Sequence, residues 1–258
     1  MRAIIAGFGI GLRSVLTDFS SLVMRGGFLL LILVVMSALW HAAIDAHHGS
    51  LGGYEISGLL WYVFGAQVAV IAARQRTVEE VGEEIGSGAI TVPMLRPVPV
   101  VAMWMAMEAG SGFGRIALIF PCGAALTWLL AGPPPNLVCL LLAVPAVIIG
   151  GTTNIAFQHA VGGTAFWFKD AKSGWFLYQK LVFLPGGMLI PLELLPTGVA
   201  SVCQMLPFSA MAYIPGRIAS GHLDPGLLLI QAGWLILIVA IALAVFALGQ
   251  RRLEVVGG

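Results

Sequence analysis

Long apolar runs decide most of what this chain can fold into, and the basic residues decide which way it faces. About six such runs follow one another, each near the length needed to cross a bilayer as a helix. Place them across a membrane with the N-terminus inside. Every Lys and Arg except Arg217 then falls in an inner segment or at an inner span end. Basic residues are retained on the cytoplasmic side during insertion, so this asymmetry sets orientation. The expected fold is all-α: a polytopic membrane protein with six transmembrane helices and both termini in the cytoplasm.

Only 10% of the residues are charged and 59% are hydrophobic, with a mean hydropathy of +0.97. A soluble domain carries about 25% charged residues. There is too little polar surface here to coat a water-soluble globule, so lipid is the expected solvent for most of the chain. The formal net charge of +1 gives no footprint for nucleic acid, which is not an expected partner. Cys122, Cys139 and Cys203 are scattered, with no paired spacing, and predict no disulfide framework. Arg13 interrupts what would be the apolar core of a cleavable signal peptide, and none is expected.

Residues 1–23 are apolar at helical spacing through Ile4, Phe8, Leu12, Val15 and Phe19. They predict an amphipathic helix lying in the cytoplasmic interface, although Gly7, Gly9 and Gly11 each weaken a helix by about 1 kcal/mol relative to Ala. The predicted spans are 26–44, 54–73, a third beginning after Ala109 and turned by Pro133-Pro134-Pro135-Asn136, 137–161, 181–191 and 227–248. Arg74 and Arg76 mark the inside after the second. Lys169, Asp170, Lys172 and Lys180 mark it after the fourth, and Arg251-Arg252 after the sixth. Residues 192–226 are apolar but cut by prolines into pieces too short to cross. They predict two short helices re-entering from the outer surface, a geometry that survives only when buried in protein or facing water. One membrane domain, 1–258, accounts for the whole chain.

The longest polar stretch is 74–98. Thr77 is placed to cap a short helix whose first turns hold Glu79, Glu80, Glu83 and Glu84. Carboxylates there complement the positive end of the helix. Gly86 and Gly88 stop it, and Pro93 and Pro97 block continuation into the next span. An acidic knuckle projecting into the cytoplasm is expected, either as a solvated loop or as a docking element for a soluble partner.

This stretch carries a resemblance. Glu84-x-x-x-Gly88 followed by Leu95-Arg96-Pro97-Val98 resembles the E-x-x-x-G…L-L-R-P-V signature of export-type (type 2) ABC transporter permeases, in the subgroup related to daunorubicin and viologen exporters. Phe166-Trp-Phe-Lys169-Asp170, Gly187-Met-Leu-Ile-Pro191-Leu-Glu193-Leu-Leu-Pro196 and Leu206-Pro207-Phe208 with Tyr213-x-Pro215 follow in the family's order. Met94 stands where the family usually has Leu, and Ile90 replaces a common Leu. The resemblance implies a six-span subunit that pairs with a second copy or a paralogue above a cytoplasmic ATPase dimer. It makes 74–98 the coupling region, with Glu80, Glu83, Glu84, Gly86, Gly88, Arg96 and Pro97 contacting the ATPase, and 192–226 the outer re-entrant helices. ATP and Mg would sit on the ATPase, since this chain lacks the G-x-x-x-x-G-K-[ST] phosphate cradle. No catalytic residue and no cofactor of its own are expected.

Four further residues are candidates for gating or for lining a pathway. Glu108 and Arg115 lie two helical turns apart near the inner end of the third span, where ionisable groups are costly and often functional. A salt-link between them or with near neighbours is the plainer expectation. Asn154, beside Thr152, Thr153, Gln158 and His159, puts polar groups into the fourth span, suited to interhelical bonding or to a pathway wall. Glu193 lies in the outer pieces. His41, Asp45, His47 and His48 cluster at the outer end of the first span, and a polar rim is expected there rather than a metal site. Trp40, Trp61, Trp128 and Trp234 are read as an interfacial belt. The alternatives to an exporter of lipophilic or amphipathic compounds are an ion-coupled secondary transporter, which wants repeats and broken helices, and a non-transporting membrane scaffold.

Overall fold

The computed structural model describes residues 2–46, 50–168 and 172–256. Among them the chain is helical, and its one β pairing is an isolated bridge between Leu51 and Tyr54. Among the described residues four helices are long and apolar enough to cross a membrane: Phe19–Asp45, Val100–Ala131, Leu137–Phe166 and Pro225–Arg252. The protein is therefore an all-α, multi-pass membrane protein. His47, His48, Lys169 and Asp170 lie outside the described residues.

At the centre stands α3 (Ile56–Ile71), buried along almost its whole length. It is 16 residues long, and at about 1.5 Å per residue it spans roughly 24 Å, short of the ~30 Å of a hydrocarbon core. Its sequence shows why it can be central: it is apolar on every side, so no face needs water. Trp61 is fully buried, its ring edge-on to Phe64 and its Nε1 donating to the Gly132 carbonyl at 3.3 Å. Trp40 is buried too. These two belong to the core rather than to an interfacial belt, because the neighbouring helices cover them.

Around α3 pack α2 (Phe19–Ala46), α6 (Val100–Ala131) and α7 (Leu137–Gly163). α2 starts before the expected residue 26, since Ser20, Ser21 and Arg25 join the helix. α6 starts at Val100, well before the expected boundary, so Glu108 and Arg115 lie inside it rather than at its mouth. Asn136 opens α7 as its N-cap, its side chain accepting from the Val138 and Cys139 amides at 2.9 and 3.3 Å. The predicted proline turn before it is present.

α1 (Arg2–Thr17) lies along the first half of α6. Its buried face is Gly7, Gly11 and Val15, not the Ile4–Phe8–Leu12 stripe. The same spacing recurs opposite, at Gly110 and Gly114. A Cβ on Gly11 would fall 1.8 Å from the Met107 carbonyl oxygen, and one on Gly110 would fall 2.0 Å from that of Phe8. Small residues four apart on both helices let the backbones touch, the usual device for packing helices in lipid. The glycines that weaken α1 as an isolated helix are what attach it.

The fifth predicted span departs furthest from expectation. α8 covers Lys172–Phe183, and residues 184–191 form turns rather than helix. Pro185, Gly186 and Gly187 break the helix, and the Gly186 and Met188 amides fold back onto the Leu181 and Phe183 carbonyls. The outer segment then forms α9 (Thr197–Met205), α10 (Pro207–Met211) and α11 (Tyr213–Ala219), the last two separated at Ala212. α11 wedges between α3 and α7. Gly65 and Gly216 permit this approach: a Cβ on Gly65 would meet Ala219 Cβ at 2.6 Å, and one on Gly216 would meet the Tyr62 carbonyl at 2.8 Å. α12 (Pro225–Val256) closes the bundle along α7. Its buried Gln231 donates from Nε2 to the Ala146 and Ala210 carbonyls, both at 2.8 Å.

Candidate functional site

Between α3 and α6 the chain leaves the bundle as α4 (Thr77–Gly86) and α5 (Thr91–Met94). Val78, Val81 and Ile85 share one face of α4 and are buried with Val100, Phe166 and Phe246, while Glu83 and Glu84 on the other face are exposed. This amphipathic pattern seats a short helix on the end of the bundle without inserting it. Gly88 takes a left-handed φ of +76°, which glycine adopts without steric cost. It reverses the chain so that the Ile90 amide returns to the Glu84 carbonyl at 3.0 Å and Ile90 itself is buried. Gly86, Arg96 and Pro97 are exposed, and Gly88 is half-buried. Val92 and Leu95 are 70% and 87% exposed, so the knuckle offers apolar as well as acidic groups.

Glu80 is half-buried and pairs with Arg74 at 2.8 Å, and Glu79 with Arg76 at 3.4 Å. Such solvent-facing pairs add at most about 1 kcal/mol each. Two of the four acidic side chains are therefore occupied within the knuckle, and Glu83 and Glu84 face outward.

What fixes the knuckle to the bundle is Glu108. Its carboxylate accepts the Thr77 hydroxyl at 2.9 and 3.0 Å and the Arg74 backbone amide at 2.9 Å. The imidazole Nε2 of His159, on α7, lies 3.8 Å away. One buried carboxylate thus ties the start of α4 to α6, with α7 alongside. Thr77 does not cap α4, because its hydroxyl is spent on this bond; α4 has no side-chain cap. Arg115 does not pair with Glu108. It donates to the Ala72 carbonyl and to Ser111 Oγ, the latter at 2.6 Å. The two residues brace the same end of α3 and the segment after it separately, and of the expected salt-links the one between them is not formed.

On another side of α3 a cavity of about 720 Å³ opens between α2, α3, α7 and α8. Asn154 lies in its wall and is fully engaged: Oδ1 accepts from Gln158 at 2.9 Å and from Tyr178, and Nδ2 donates to the Val70 carbonyl at 3.4 Å. Thr152 and Thr153, by contrast, bond to carbonyls one turn back in their own helix. Tyr178 stacks between Phe157 and Trp175, with ring centroids 5.1 and 5.6 Å away. Gln67, 1% exposed, contributes a buried amide from the middle of α3. Arg25 stands at the rim, its guanidinium holding the Ile71 and Ala73 carbonyls at 3.1 and 3.0 Å. Sequence reading passed over Gln67, Tyr178, Trp175 and this use of Arg25. A lone glutamine in an otherwise apolar helix was the signal available.

Glu193 does not line this cavity. It accepts the Tyr213 hydroxyl at 2.7 Å and pairs with Arg217. His41 sets its Nδ1 2.7 Å from the Ser37 carbonyl. Among the described residues no three His, Cys, Asp or Glu side chains converge as metal ligands do.

The profile of the family described as ABC-2 family transporter protein matches residues 30–257. No curated protein and no solved structure matches the chain. The match runs over nearly the whole chain, through the knuckle, the cavity helices and the outer segment, and by it this protein belongs to the ABC-2 family of ABC transporter permeases.

Proposed function

We propose that this permease is the membrane-spanning subunit of an ATP-driven exporter in the bacterial cytoplasmic membrane, with both termini in the cytoplasm. It acts with a dimer of separate cytoplasmic ATPases and a second copy of itself or a paralogue. In this reading α2, α3, α6, α7, α8 with the turns after it, and α12 are the six spans. The α3 and α8 segments reach across only with their flanking residues. α1 lies at the inner interface, and α9 to α11 are the outer re-entrant pieces.

The knuckle carries the reading. A short helix with an exposed acidic face, tied by one buried carboxylate to a central span, is built to transmit a push. Movement of α4 loads Glu108 through Thr77, and Glu108 belongs to α6. ATP-driven closure of the ATPases would press on Glu80, Glu83, Glu84, Gly86, Gly88, Arg96 and Pro97, and α6 would carry the displacement into the bundle. A lipophilic or amphipathic substrate would use the cavity beside α3.

Glu84→Lys tests this. The exposed carboxylate is replaced by a cation with no loss of packing. The variant is expected to lose ATPase co-purification or substrate-stimulated hydrolysis while keeping its own fold. Wild-type values for both measurements reject the coupling role.

A further inference from the structure

The wall of the cavity between α2, α3, α7 and α8 is chemically one-sided. Among the described residues it is lined by two cations, Arg25 and Lys180, and by no Asp or Glu. Below the rim, apolar Val70, Ile71, Val182 and Met188 share the wall with the polar Gln67, Asn154, Gln158 and Tyr178. Its exposed edge is apolar as well, through Met24, Phe28 and Phe183. Two polar atoms inside it lack partners among the described residues. Gln67 Nε2 is a buried donor, and Gln158 Oε1 is a buried acceptor. A buried amide atom without a partner costs about 1–3 kcal/mol, so a site that keeps two of them is suited to a molecule that satisfies them.

The chemistry of that molecule follows. Two cations and no carboxylate select against a cationic ligand and for an anionic one. A guanidinium anchored by backbone carbonyls is preorganised to meet a phosphate or carboxylate, because its orientation is already fixed. Its Nε and Nη1 are taken up by Ser21 and the Ile71 and Ala73 carbonyls, which leaves Nη2 for the ligand. The apolar part of the wall at Val182 and Phe183, with the exposed edge at Met24 and Phe28, suits an alkyl chain continuous with the surrounding lipid. Gln158 Oε1 calls for a donor such as a hydroxyl on the headgroup.

Resting on the permease reading above, we infer that this cavity takes an anionic amphiphile, with the headgroup at Arg25, Lys180 and Gln67 and the chain along Val182 and Phe183. Substrates or regulatory lipids of this class would enter sideways from the bilayer, past Met24 and Phe28, at the end of α3 that leads into the knuckle.

The test is direct binding by the full-length protein in neutral detergent. The titrants are chain-brominated phosphatidylglycerol, chain-matched brominated phosphatidylcholine and inorganic phosphate. Bromine quenches nearby tryptophan, and the component lost in Trp175→Phe reports the cavity alone. Phosphatidylglycerol is expected to quench this component at a concentration at least tenfold below that of phosphatidylcholine. Inorganic phosphate alone is expected to leave it unprotected, since the chain supplies much of the affinity; protection by phosphate would identify a free-anion site and overturn the amphiphile. Lys180→Gln and Gln67→Leu should each reduce the preference several-fold, and Arg25→Gln should nearly abolish it. Arg25 also braces α3, so the first two variants decide. A preference unchanged in both, or none in the wild type, overturns the proposal. Co-purification of the ATPase is read separately in the same variants. Its loss in Glu84→Lys with lipid preference intact upholds the exporter reading, whatever the cavity holds.

Discussion

At the scale of single residues, Glu108 has the largest share of responsibility for the candidate site. Its two oxygens serve Thr77 and the Arg74 amide in a buried setting. Removing them leaves both donors without an acceptor, at about 1–3 kcal/mol each. Glu108→Ala should therefore lower the melting temperature in detergent and raise the reactivity of a cysteine placed at Thr77. Glu108→Gln keeps one acceptor oxygen and the volume, and should recover most of the loss. Equal damage from both would mean that charge, not the acceptor geometry, holds the knuckle. The sequence singled out Glu108 and Arg115 for their depth, and both are buried. It expected a salt-link, between them or with near neighbours, because two of the partners they use, the Arg74 amide and the Ala72 carbonyl, are backbone groups that no side-chain pattern reveals. Thr77 was misread for a related reason: a cap and a tertiary bond compete for the same hydroxyl, and only the position of α6 settles the contest.

The elements show a different balance. α1 is held to α6 by backbone contact at Gly11 and Gly110, so size rather than polarity should control its attachment. Gly110→Val forces the helices apart, and amide hydrogen exchange along α1 should accelerate at least tenfold. Gly9→Ala is the matched control. A Cβ there meets nothing within 4 Å, and the change favours helix by about 1 kcal/mol, so exchange should slow or stay unchanged. Acceleration in Gly9→Ala would show that α1 is fastened by another face. The α8 segment teaches the same lesson from the other side. Its apolar composition was legible, but its helical limits were not. Residues 181–183 continue a helix begun at Lys172, and the apolar run beyond them is turned by Pro185 and the glycine pair. Hydropathy scores burial and is blind to whether the buried backbone is helical.

For the whole molecule the decisive question is which end faces the ATPases. α4, α5, the start of α6 and the 3-10 turn Thr164–Phe166 gather at one end of the bundle, and Gly132, Asn136 and Gly221 at the other. In a background lacking the native cysteines, a cysteine at Ser87 should react with an impermeant maleimide only from the cytoplasmic side. One at Pro134 should react only from outside. The reverse pattern would dismiss the coupling proposal outright, since no ATPase could reach α4. The same construction explains why the shortest central helix can tolerate its length: α3 meets protein on nearly every side, so mismatch with the bilayer falls on its neighbours.

Read by itself, the sequence determined the solvent, the helical class, the expected orientation and the place of the acidic knuckle. These follow from local quantities, namely apolar run length, basic-residue asymmetry and helix-stopping residues, which act before any tertiary contact forms. Only the tertiary structure decided that α3 is the hub, that glycines fasten α1 and α11, that Glu108 rather than a cap anchors α4, and that Gln67 Nε2, in the wall of a cationic cavity, has no partner among the described residues. Each of those depends on which backbone groups and side chains from distant segments come within a few ångströms, and lipid-facing and protein-facing apolar residues look alike until the helices are packed.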